Sequence, residues 1–363
     1  MKITAVTATT LAIPYAYDGP RHNVAGKDWT TLDILLVRVD TDQGLTGWGE
    51  AFGHGSIPAT RAALRSLVAP FMLGRDAADI AGTMRAAQQA MHLYGRGGPV
   101  TYALSGVDIA LWDLAGKCAG LPLHRLLGAA AAAVPAYASL LRYADPAIVA
   151  RNAAAAVAAG YPAIKLHEIT VPALQAARAA VGSDILLMND TNCPWPPAEA
   201  RAMARAFRPL GLHWLEEPVW PPEDYAGLAA VRAEGVPIAA GENMAGPADF
   251  LHAFQAGALD IAQPSVTKIG GVSEMRRVIA LGETHGVRVV PHCAYFGPGF
   301  LASLHIAAAM PDRPPLERLF IDLEASPFAP YTEATSGMLQ VPQGPGLGCD
   351  PDPALVARYE VKP

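Results

Sequence analysis

The chain has 363 residues, of which 52% are hydrophobic and 17% charged, and its formal net charge is −6. This length and composition predict a globular protein of about two domains with a large core. The acidic balance gives no electrostatic reason to expect nucleic acid or an anionic membrane as partner, and no apolar stretch reaches the roughly 18 residues of a membrane span.

The cysteines and the N-terminal segment bear on the cellular compartment. The four cysteines are far apart in sequence and form no C-x-x-C pair, which favours a reducing environment, so we expect a cytoplasmic protein. The N-terminal segment MKITAVTATTLAIPY alternates apolar and polar residues. That alternation is typical of a strand, whereas a signal peptide needs a longer apolar centre.

Residues 1–128 begin with strand-like segments and continue with helical ones. An Asp-Gln-Gly turn between TTLDILLVRVDT and LTGWGEAFG predicts a β-hairpin. In ALSGVDIALWDLAGKCAG, the apolar residues Ala110, Leu111 and Leu114 recur at helical spacing, and the helix is expected to end at Gly120. Strands followed by helices favour a separate α+β domain.

From residue 129 to 324, apolar strand-like runs alternate with amphipathic segments. This alternation predicts a β/α barrel, and the Pro- and Gly-rich tail 325–363 is expected to return to the first domain. The eight predicted strands are Val134 to Ser139, Ala163 to His167, Leu186 to Asp190, His213 to Glu216, Ile238 to Glu242, Ile261 to Gln263, Val287 to Pro291 and Leu319 to Ile321.

Three acidic residues close successive predicted strands: Asp190, Glu216 and Glu242, each 26 residues from the next. Neighbouring parallel strands lie about 4.8 Å apart, so these carboxylates are expected to converge at one end of the barrel. Three negative charges so close would raise one another's pKa unless a cation lies between them. Carboxylate oxygens favour a hard dication, and the sequence therefore predicts a Mg²⁺ site.

Candidate proton-transfer residues lie at the same stride on both sides of these carboxylates. Lys165 and His167 close the preceding strand, and Lys268 and His292 follow the next two. Alternation along a strand places Lys165 and His167 on one face, towards the barrel mouth. By the same alternation, Glu217 is expected on the face opposite to the carboxylates, in a salt bridge.

These segments resemble the enolase superfamily, and in particular its mandelate racemase and muconate lactonizing branch. The likeness covers nearly the whole chain: GWGEA at 47–51, SGVDIALWDLAGKCAGLPLHRLLG at 105–128, the Lys-x-His pair, the ND, EEP and GEN segments, TKIGGVSE at 267–274 and PGLG at 345–348. It implies an α/β fold, a modified (β/α)₇β TIM barrel with an α+β capping domain, and one Mg²⁺ on the three carboxylates. It also implies the first step known for this superfamily, in which a base removes the proton α to a carboxylate and the metal holds the enediolate.

The resemblance also assigns roles to the candidate residues. Lys165 would contact the substrate carboxylate, His167 would be the base where the family usually has a lysine, and Lys268 would act from the opposite face. His292 matches a histidine that an aspartate orients in the racemases, but Ser265 stands at the position of that aspartate. The dyad of mandelate racemase is therefore absent.

Substrate-binding candidates lie at strand ends and in two loops of the capping domain that close over the substrate in this family. They are Asn192, Glu317, His22, Trp29 and His54. Asn192 matches a position that binds the substrate carboxylate. Glu317 is preferred over Asp322 and Glu324 as the acidic residue that follows the last strand and assists the enediolate.

Several outcomes share the same first step on a small carboxylate. Dehydration of a hydroxy or sugar acid is favoured, because His167 and His292 could serve as base and as proton donor to a departing hydroxide. Epimerisation by His167 and Lys268 and cycloisomerisation of a lactone remain open, as does a catalytically silent barrel that only binds metal. The resemblance further implies a homo-oligomer, either a dimer or an octamer.

Overall fold

The protein is described here by a computed structural model that covers residues 1–21, 23–24 and 27–362. Its N-terminal part contains an antiparallel sheet in the order β14-β1-β4-β5, flanked by helices. The strands before the barrel are β1 (Ile3–Ala16), β2 (Asn23–Val24), β3 (Lys27–Asp28), β4 (Thr31–Thr41) and β5 (Thr46–Ala51), and β14 is Asp322–Leu323. The helices are α1 (Ile57–Ala63), α2 (Ala69–Met72), α3 (Ile80–Ala90), α4 (Pro99–Ala119) and α5 (Leu123–Leu126).

The predicted hairpin and long helix of this part pack against each other. β4 and β5 form the hairpin, and α4 lies across β5, where added side chains at Gly47 and Gly49 would collide with helix carbonyls. Gly120 ends α4 in the left-handed conformation, with a φ of 65°, which costs glycine little because it has no Cβ.

The second part is a barrel of eight parallel strands connected by seven helices, and β13 returns to pair with β6. The strands are β6 (Ala133–Ser139), β7 (Ala163–Leu166), β8 (Leu186–Asp190), β9 (Trp214–Glu216), β10 (Ile238–Ala240), β11 (Ile261–Ala262), β12 (Arg288–Val289) and β13 (Leu316–Leu319). The helices are α6 (Pro146–Ala158), α7 (Val171–Val181), α8 (Pro197–Phe207), α9 (Tyr225–Arg232), α10 (Pro247–Gln255), α11 (Gly271–His285) and α12 (Pro298–Ala309). The predicted (β/α)₇β barrel with an α+β capping domain is confirmed.

Buried side chains from successive strands fill the barrel interior, as close packing requires. One cluster consists of Tyr137, Ala163, Met188, Trp214, Ala239, Ile261 and Val290. The interior is thus a packed core, and the open end of the barrel is left for chemistry. None of the helices described has both the length and the hydropathy needed to cross a membrane.

The last barrel strand differs from its prediction. It spans Leu316–Leu319, whereas the apolar run Leu319 to Ile321 had been expected to form it. The prediction was wrong because Glu317 and Arg318 are charged and yet buried in the strand. Both charges have partners: Glu317 binds Lys165, and Arg318 binds Glu333.

The tail touches both parts of the molecule. It contains β15 (Ala334–Thr335), β16 (Met338–Gln340) and α13 (Pro353–Tyr359). β16 pairs with the barrel strand β6, while the Val361 amide donates to the Thr10 carbonyl of β1.

Candidate active site

The three predicted metal carboxylates meet at the carboxyl end of the barrel. Asp190 and Glu216 are the last residues of β8 and β9 and face each other in the parallel ladder, and Glu242 lies two residues beyond β10. One oxygen from each carboxylate lies within 4.8 Å of the other two. The equal stride along the sequence thus becomes a single cluster in space.

The cluster has the properties of a cation site. Asp190 Oδ2 is buried and has no hydrogen-bond partner among the described residues. Burial raises the pKa of Glu216 to about 7, and the nearby Asp190 and Glu317 carboxylates oppose its ionisation further. An all-carboxylate set of oxygen donors, one of them unpartnered, fits Mg²⁺.

Lys165 is a cation of the chain that lies beside two of these three carboxylates and beside Glu317. Its side chain is 0% exposed, and its Nζ lies 2.7 Å from Glu317 Oε1, 3.2 Å from Glu216 Oε1 and 3.7 Å from Asp190 Oδ2. Burial alone would lower the pKa of Lys165, but Glu216 and Glu317 hold it well above its ordinary value. Lys165 is therefore a fixed positive charge.

His167 lies on the β8 side of the cluster, and its tautomer follows from its contacts. Nδ1 lies 2.5 Å from the Leu140 carbonyl, which can only accept, so Nδ1 carries the proton. Nε2 lies 3.5 Å from Asp190 Oδ2. Burial alone would lower the pKa of His167, but the Asp190 carboxylate raises it above its ordinary value. The neutral form of this ring is the one that can accept a proton on Nε2 as a general base.

Lys268 approaches the cluster from the other side. Its Nζ donates to Asn243 Oδ1 at 3.0 Å and lies 3.7 Å from Glu242 Oε1. The ammonium also stands 4.3 Å from the centre of the Phe52 ring, in a cation–π contact. A residue of the capping domain thus forms part of the wall around a barrel lysine.

His292 lies on the Glu242 side of the cluster. Its Nε2 lies 2.6 Å from Glu242 Oε2. Burial alone would raise the pKa of Glu242, but Lys268 and His292 hold it well below its usual range. Glu242 is therefore ionised and can only accept, so His292 Nε2 is the donor in this contact. His292 Nδ1 lies 3.4 Å from Ser265 Oγ, and Ser265 therefore fills the position where a racemase would have its aspartate.

Among the three acidic candidates near the last strand, Glu317 is the one beside the cluster. It is 1% exposed, and its Oε2 accepts a hydrogen bond from the Cys293 amide at 3.0 Å. Burial alone would raise the pKa of Glu317, but the nearby Lys165 ammonium lowers it to about 2. Asp322 pairs with the capping strand β1, and Glu324 binds Arg358, so both lie elsewhere.

Asn192 lies on a left-handed turn just past β8. Its φ is 54° and that of Cys193 is 56°, a conformation in which asparagine is among the more tolerated residues. The backbone N–H of Asn192 donates to Asp190 Oδ1 at 2.8 Å, and the side-chain Oδ1 of Asn192 lies 3.4 Å from Arg142 Nη2. The side chain is exposed at the mouth of the barrel.

Two of the three lid candidates contact each other beside Lys268. The His54 ring packs edge-on against Trp29, with 5.4 Å between centroids, and against Phe52 at 4.8 Å. Burial and the nearby Lys268 lower the pKa of His54 to about 4, which keeps it neutral at physiological pH. His22, the third candidate, lies outside the described residues.

The prediction that Glu217 forms a salt bridge is wrong. Among the described residues, the Glu217 carboxylate meets Cys193 Sγ at 3.6 Å and Asn243 Nδ2 at 3.4 Å, and neither partner is a cation. The reason is local: Glu217 has a φ of 44°, so strand alternation stops at Glu216. Burial and the nearby Glu242 raise the pKa of Glu217 well above its ordinary value.

Sequence reasoning missed three residues that surround the predicted ones. Phe52 and Asn243 contact Lys268, and Arg142 contacts Asn192. Asn243 directly follows the predicted metal ligand Glu242 in the GEN segment, so its position in the sequence could have indicated that it lies near the site. Phe52 and Arg142 had no such signal, because each contact depends on how two separate segments dock.

Comparison with known proteins agrees with this arrangement. Residues 6–128 match the family model for the mandelate racemase and muconate lactonizing enzyme N-terminal domain, and residues 148–355 match that for the enolase C-terminal domain-like fold. The chain is 34% identical to D-galactarolactone cycloisomerase of Agrobacterium fabrum, over 96% of each protein. It is 30% identical to arabinonate dehydratase of Saccharolobus solfataricus, over 91% of each.

Among solved structures, a racemase from Streptomyces coelicolor A3(2) with bound magnesium superimposes with a TM-score of 0.86. The two are 31% identical, and the match covers 99% of this chain and 100% of the racemase. This relative and the acidic cluster confirm the predicted Mg²⁺ cofactor. The named relatives are dehydratases, cycloisomerases and racemases, which confirms the predicted class of enzyme. The chain therefore belongs to the mandelate racemase and muconate lactonizing enzyme family of the enolase superfamily.

Proposed function

We propose that this enzyme removes the α-proton of a sugar acid and then expels a β-hydroxyl group as water. The observation that carries this proposal is the placement of two histidines on either side of one cluster of carboxylates. His167 Nε2 lies 3.5 Å from Asp190 Oδ2, and His292 Nε2 lies 2.6 Å from Glu242 Oε2. An elimination needs one group that takes a proton and another that gives one.

Asp190, Glu216 and Glu242 would hold Mg²⁺ in this enzyme. Bound there, the ion would supply positive charge where the substrate carboxylate gains negative charge as its α-proton leaves. Lys165, a buried fixed cation 3.2 Å from Glu216 Oε1 and 3.7 Å from Asp190 Oδ2, would add to that charge. Asn192 would donate a hydrogen bond from its side-chain amide to the substrate carboxylate.

The proton transfers would use the two histidines in turn. His167 Nε2 takes the α-proton, and the Nδ1 contact with the Leu140 carbonyl stabilises the resulting imidazolium, because both ring nitrogens then donate. His292 Nε2 gives its proton to the departing hydroxyl. The products are water and an enol, which becomes a 2-keto acid.

Cycloisomerisation of a sugar lactone is the second candidate, favoured by the similarity to D-galactarolactone cycloisomerase. It would begin with the same proton abstraction by His167. Only the bond that breaks next differs, so product mass separates the two reactions: dehydration loses one water, and isomerisation keeps the mass of the substrate. A third outcome, deuterium at the α-carbon with formation of the C2 epimer and no loss of water, would instead indicate epimerisation by His167 and Lys268.

The test is incubation of the Mg²⁺-loaded enzyme with sugar acids and their lactones in D₂O, followed by NMR and mass spectrometry. We expect deuterium at the α-carbon or a 2-keto product. In His167→Asn, the rate should fall by about 10²- to 10⁴-fold, the usual contribution of a general base. His285→Asn is the matched control, because exposed His285 Nδ1 also lies against a backbone carbonyl, that of Leu281 at 2.9 Å, on the outer helix α11. Failure of every compound to exchange or react would refute the proposal.

We further propose a cytoplasmic homo-oligomer, a dimer or an octamer, with domains at 1–128 and 129–324 and the tail 325–363 joined to the first. All four cysteines are free thiols, which supports a reducing compartment. Exposed Leu93, Tyr94 and Trp220 offer apolar surface for self-association. Analytical ultracentrifugation tests the oligomer, and a monomer across micromolar concentrations would contradict it.

A further inference from the structure

Arg142 lies at the mouth of the barrel and joins three parts of the active site. Its Nε lies 2.6 Å from the His167 carbonyl, and its Nη2 lies 3.0 Å from the Thr191 carbonyl and 3.4 Å from Asn192 Oδ1. The guanidinium therefore bridges the ends of β7 and β8. It stands directly beside the residue proposed as base and the residue proposed to bind the substrate carboxylate.

The charge of Arg142 is not neutralised by the part of the chain that the structure describes. No carboxylate lies within ion-pair distance of Arg142, and its Nη1 makes no hydrogen bond there. Glu168 is the nearby acid, but its oxygens accept from the Tyr143 amide at 2.7 Å and the Ala144 amide at 3.1 Å. The guanidinium is only half-buried, so it remains accessible to a ligand.

Arg142 is also separate from the metal carboxylates. Asp190, Glu216 and Glu242 have Lys165, His167, Lys268 and His292 as their basic neighbours within 4 Å. None of these carboxylates pairs with Arg142 in the part of the chain that the structure describes, so Arg142 remains available to another group of a substrate bound at this cluster. A second anionic group further along the same molecule would reach it past Asn192.

We propose that Arg142 binds a second carboxylate of the substrate, so that the substrate is a dicarboxylic sugar acid or its lactone. This inference rests on the proposed function and names its substrate class. Nε and Nη2 already donate to backbone carbonyls, so Nη1 is the nitrogen that remains to donate charge-assisted hydrogen bonds to a carboxylate. The bonds from Nε and Nη2 to backbone carbonyls fix the guanidinium plane in advance, which reduces the entropy lost on binding.

The experiment compares substrates that differ only at the far end. The pairs are galactarate with galactonate and glucarate with gluconate, together with their lactones, in which a terminal carboxylate replaces a hydroxymethyl group. We expect the Mg²⁺-loaded wild type to prefer the dicarboxylate in kcat/KM by about 10- to 100-fold, the range of a charge-assisted hydrogen bond. In Arg142→Gln this preference should fall close to unity, and Arg142→Lys should retain part of it.

Arg178→Gln is the matched control. Arg178 also binds backbone carbonyls, those of Leu210 at 2.9 Å and Gly182 at 2.7 Å, but it lies on the outer helix α7. Its replacement should leave the preference for dicarboxylates intact. Equal losses for both substrates in Arg142→Gln would show that Arg142 only braces the strand ends, and would overturn the proposal.

The failure of this inference is distinguishable from failure of the proposed function. A wild type that turns over both members of each pair equally overturns the dicarboxylate subsite and leaves the function standing. If no compound reacts, the function fails, and calorimetric titration of the Mg²⁺-loaded enzyme with galactarate still tests the subsite. Binding that weakens about 10-fold or more in Arg142→Gln supports it, and unchanged or undetectable binding overturns it.

Discussion

Replacing Lys165 with methionine should strongly destabilise the metal-free enzyme. Lys165 is 0% exposed, and its Nζ lies within 4 Å of three carboxylates, those of Asp190, Glu216 and Glu317. Methionine has a similar length but no charge. The substitution therefore leaves buried carboxylates without their cation. An unpaired charge inside a protein is strongly destabilising.

The expected size of this effect follows from the burial of both partners. Loss of one member of a buried ion pair costs about 3–5 kcal/mol. Since three carboxylates lose one shared cation, we expect a value towards the upper end. With a denaturant dependence of about 3 kcal/mol per molar urea, the unfolding midpoint should fall by roughly 1–2 M.

Magnesium should reverse part of this loss, which makes the prediction specific to the metal site. A ligand that binds only the folded state stabilises it by about 2.7 kcal/mol at 100 times its dissociation constant. In Lys165→Met the ion no longer meets a competing ammonium group. The stabilisation by Mg²⁺, at equal concentration, should therefore be larger in the variant than in the wild type.

The assay is urea unfolding at pH 7.5 with EDTA or with Mg²⁺, followed by tryptophan fluorescence. Lys117→Met is the matched control, because Lys117 Nζ lies 2.8 Å from Asp113, whose side chain is 1% exposed, in the capping domain. It should destabilise the enzyme without changing the response to Mg²⁺. If Lys165→Met responds to Mg²⁺ no more than the wild type does, the ion does not occupy the cluster that Lys165 contacts.

Two further predictions concern the dependence of stability on pH. Burial lowers the pKa of His305 to about 3, against 6.5 for an exposed histidine. The unfolded state therefore binds the extra proton, and the stability present above pH 6.5 is lost as the pH falls towards 3. In His305→Gln this loss of stability in acid should be smaller, and a pH profile of urea midpoints parallel to that of the wild type would contradict the prediction. Burial raises the pKa of Glu50 to about 8, against an ordinary value of 4.5. The stability that protonated Glu50 contributes to the folded state is therefore present below pH 4.5 and is lost as the pH rises through 8. Glu50→Gln should therefore gain stability relative to the wild type between pH 5 and pH 9, measured by the same midpoints, and a constant difference would sink this explanation.

Much of the site was predictable because a barrel converts sequence stride into position. Asp190, Glu216 and Glu242 recur every 26 residues, and parallel strands of one register bring such residues to one end. Asp190 and Glu216 are indeed partners in the ladder. Alternation along the predicted strand also placed Lys165 and His167 on one face. β7 ends at Leu166, one residue before His167, and both side chains lie within 4 Å of Asp190.

The prediction stopped where the backbone leaves the strand conformation or where distant segments dock. Glu217 has a φ of 44°, and no apolar pattern in the sequence reports that turn. The predicted last strand, Leu319 to Ile321, left out Glu317 and Arg318, because their charges are paired with Lys165 and Glu333, which are remote in sequence. Periodicity records the period of one element and carries no information on partners in another.

The capping domain holds one wall of the candidate site. The Gly270 amide donates to Ser105 Oγ at 2.8 Å, and the Ser273 amide donates to Asp108 Oδ1 at 3.0 Å. Both contacts fix the turn that follows Lys268 onto the capping helix α4.

The same domain reaches the segment after His292. Glu50, on the capping strand β5, accepts a hydrogen bond at 2.8 Å from the Gly299 amide at the start of α12. By contrast, the hydrogen bonds that hold His167 in the described part of the chain come from barrel groups, the Leu140 carbonyl and Arg142. The proposed base thus belongs to the barrel, while the turns beside Lys268 and His292 depend on the capping domain. A substitution at the domain junction should therefore impair proton donation and epimerisation before it impairs the abstraction of the α-proton.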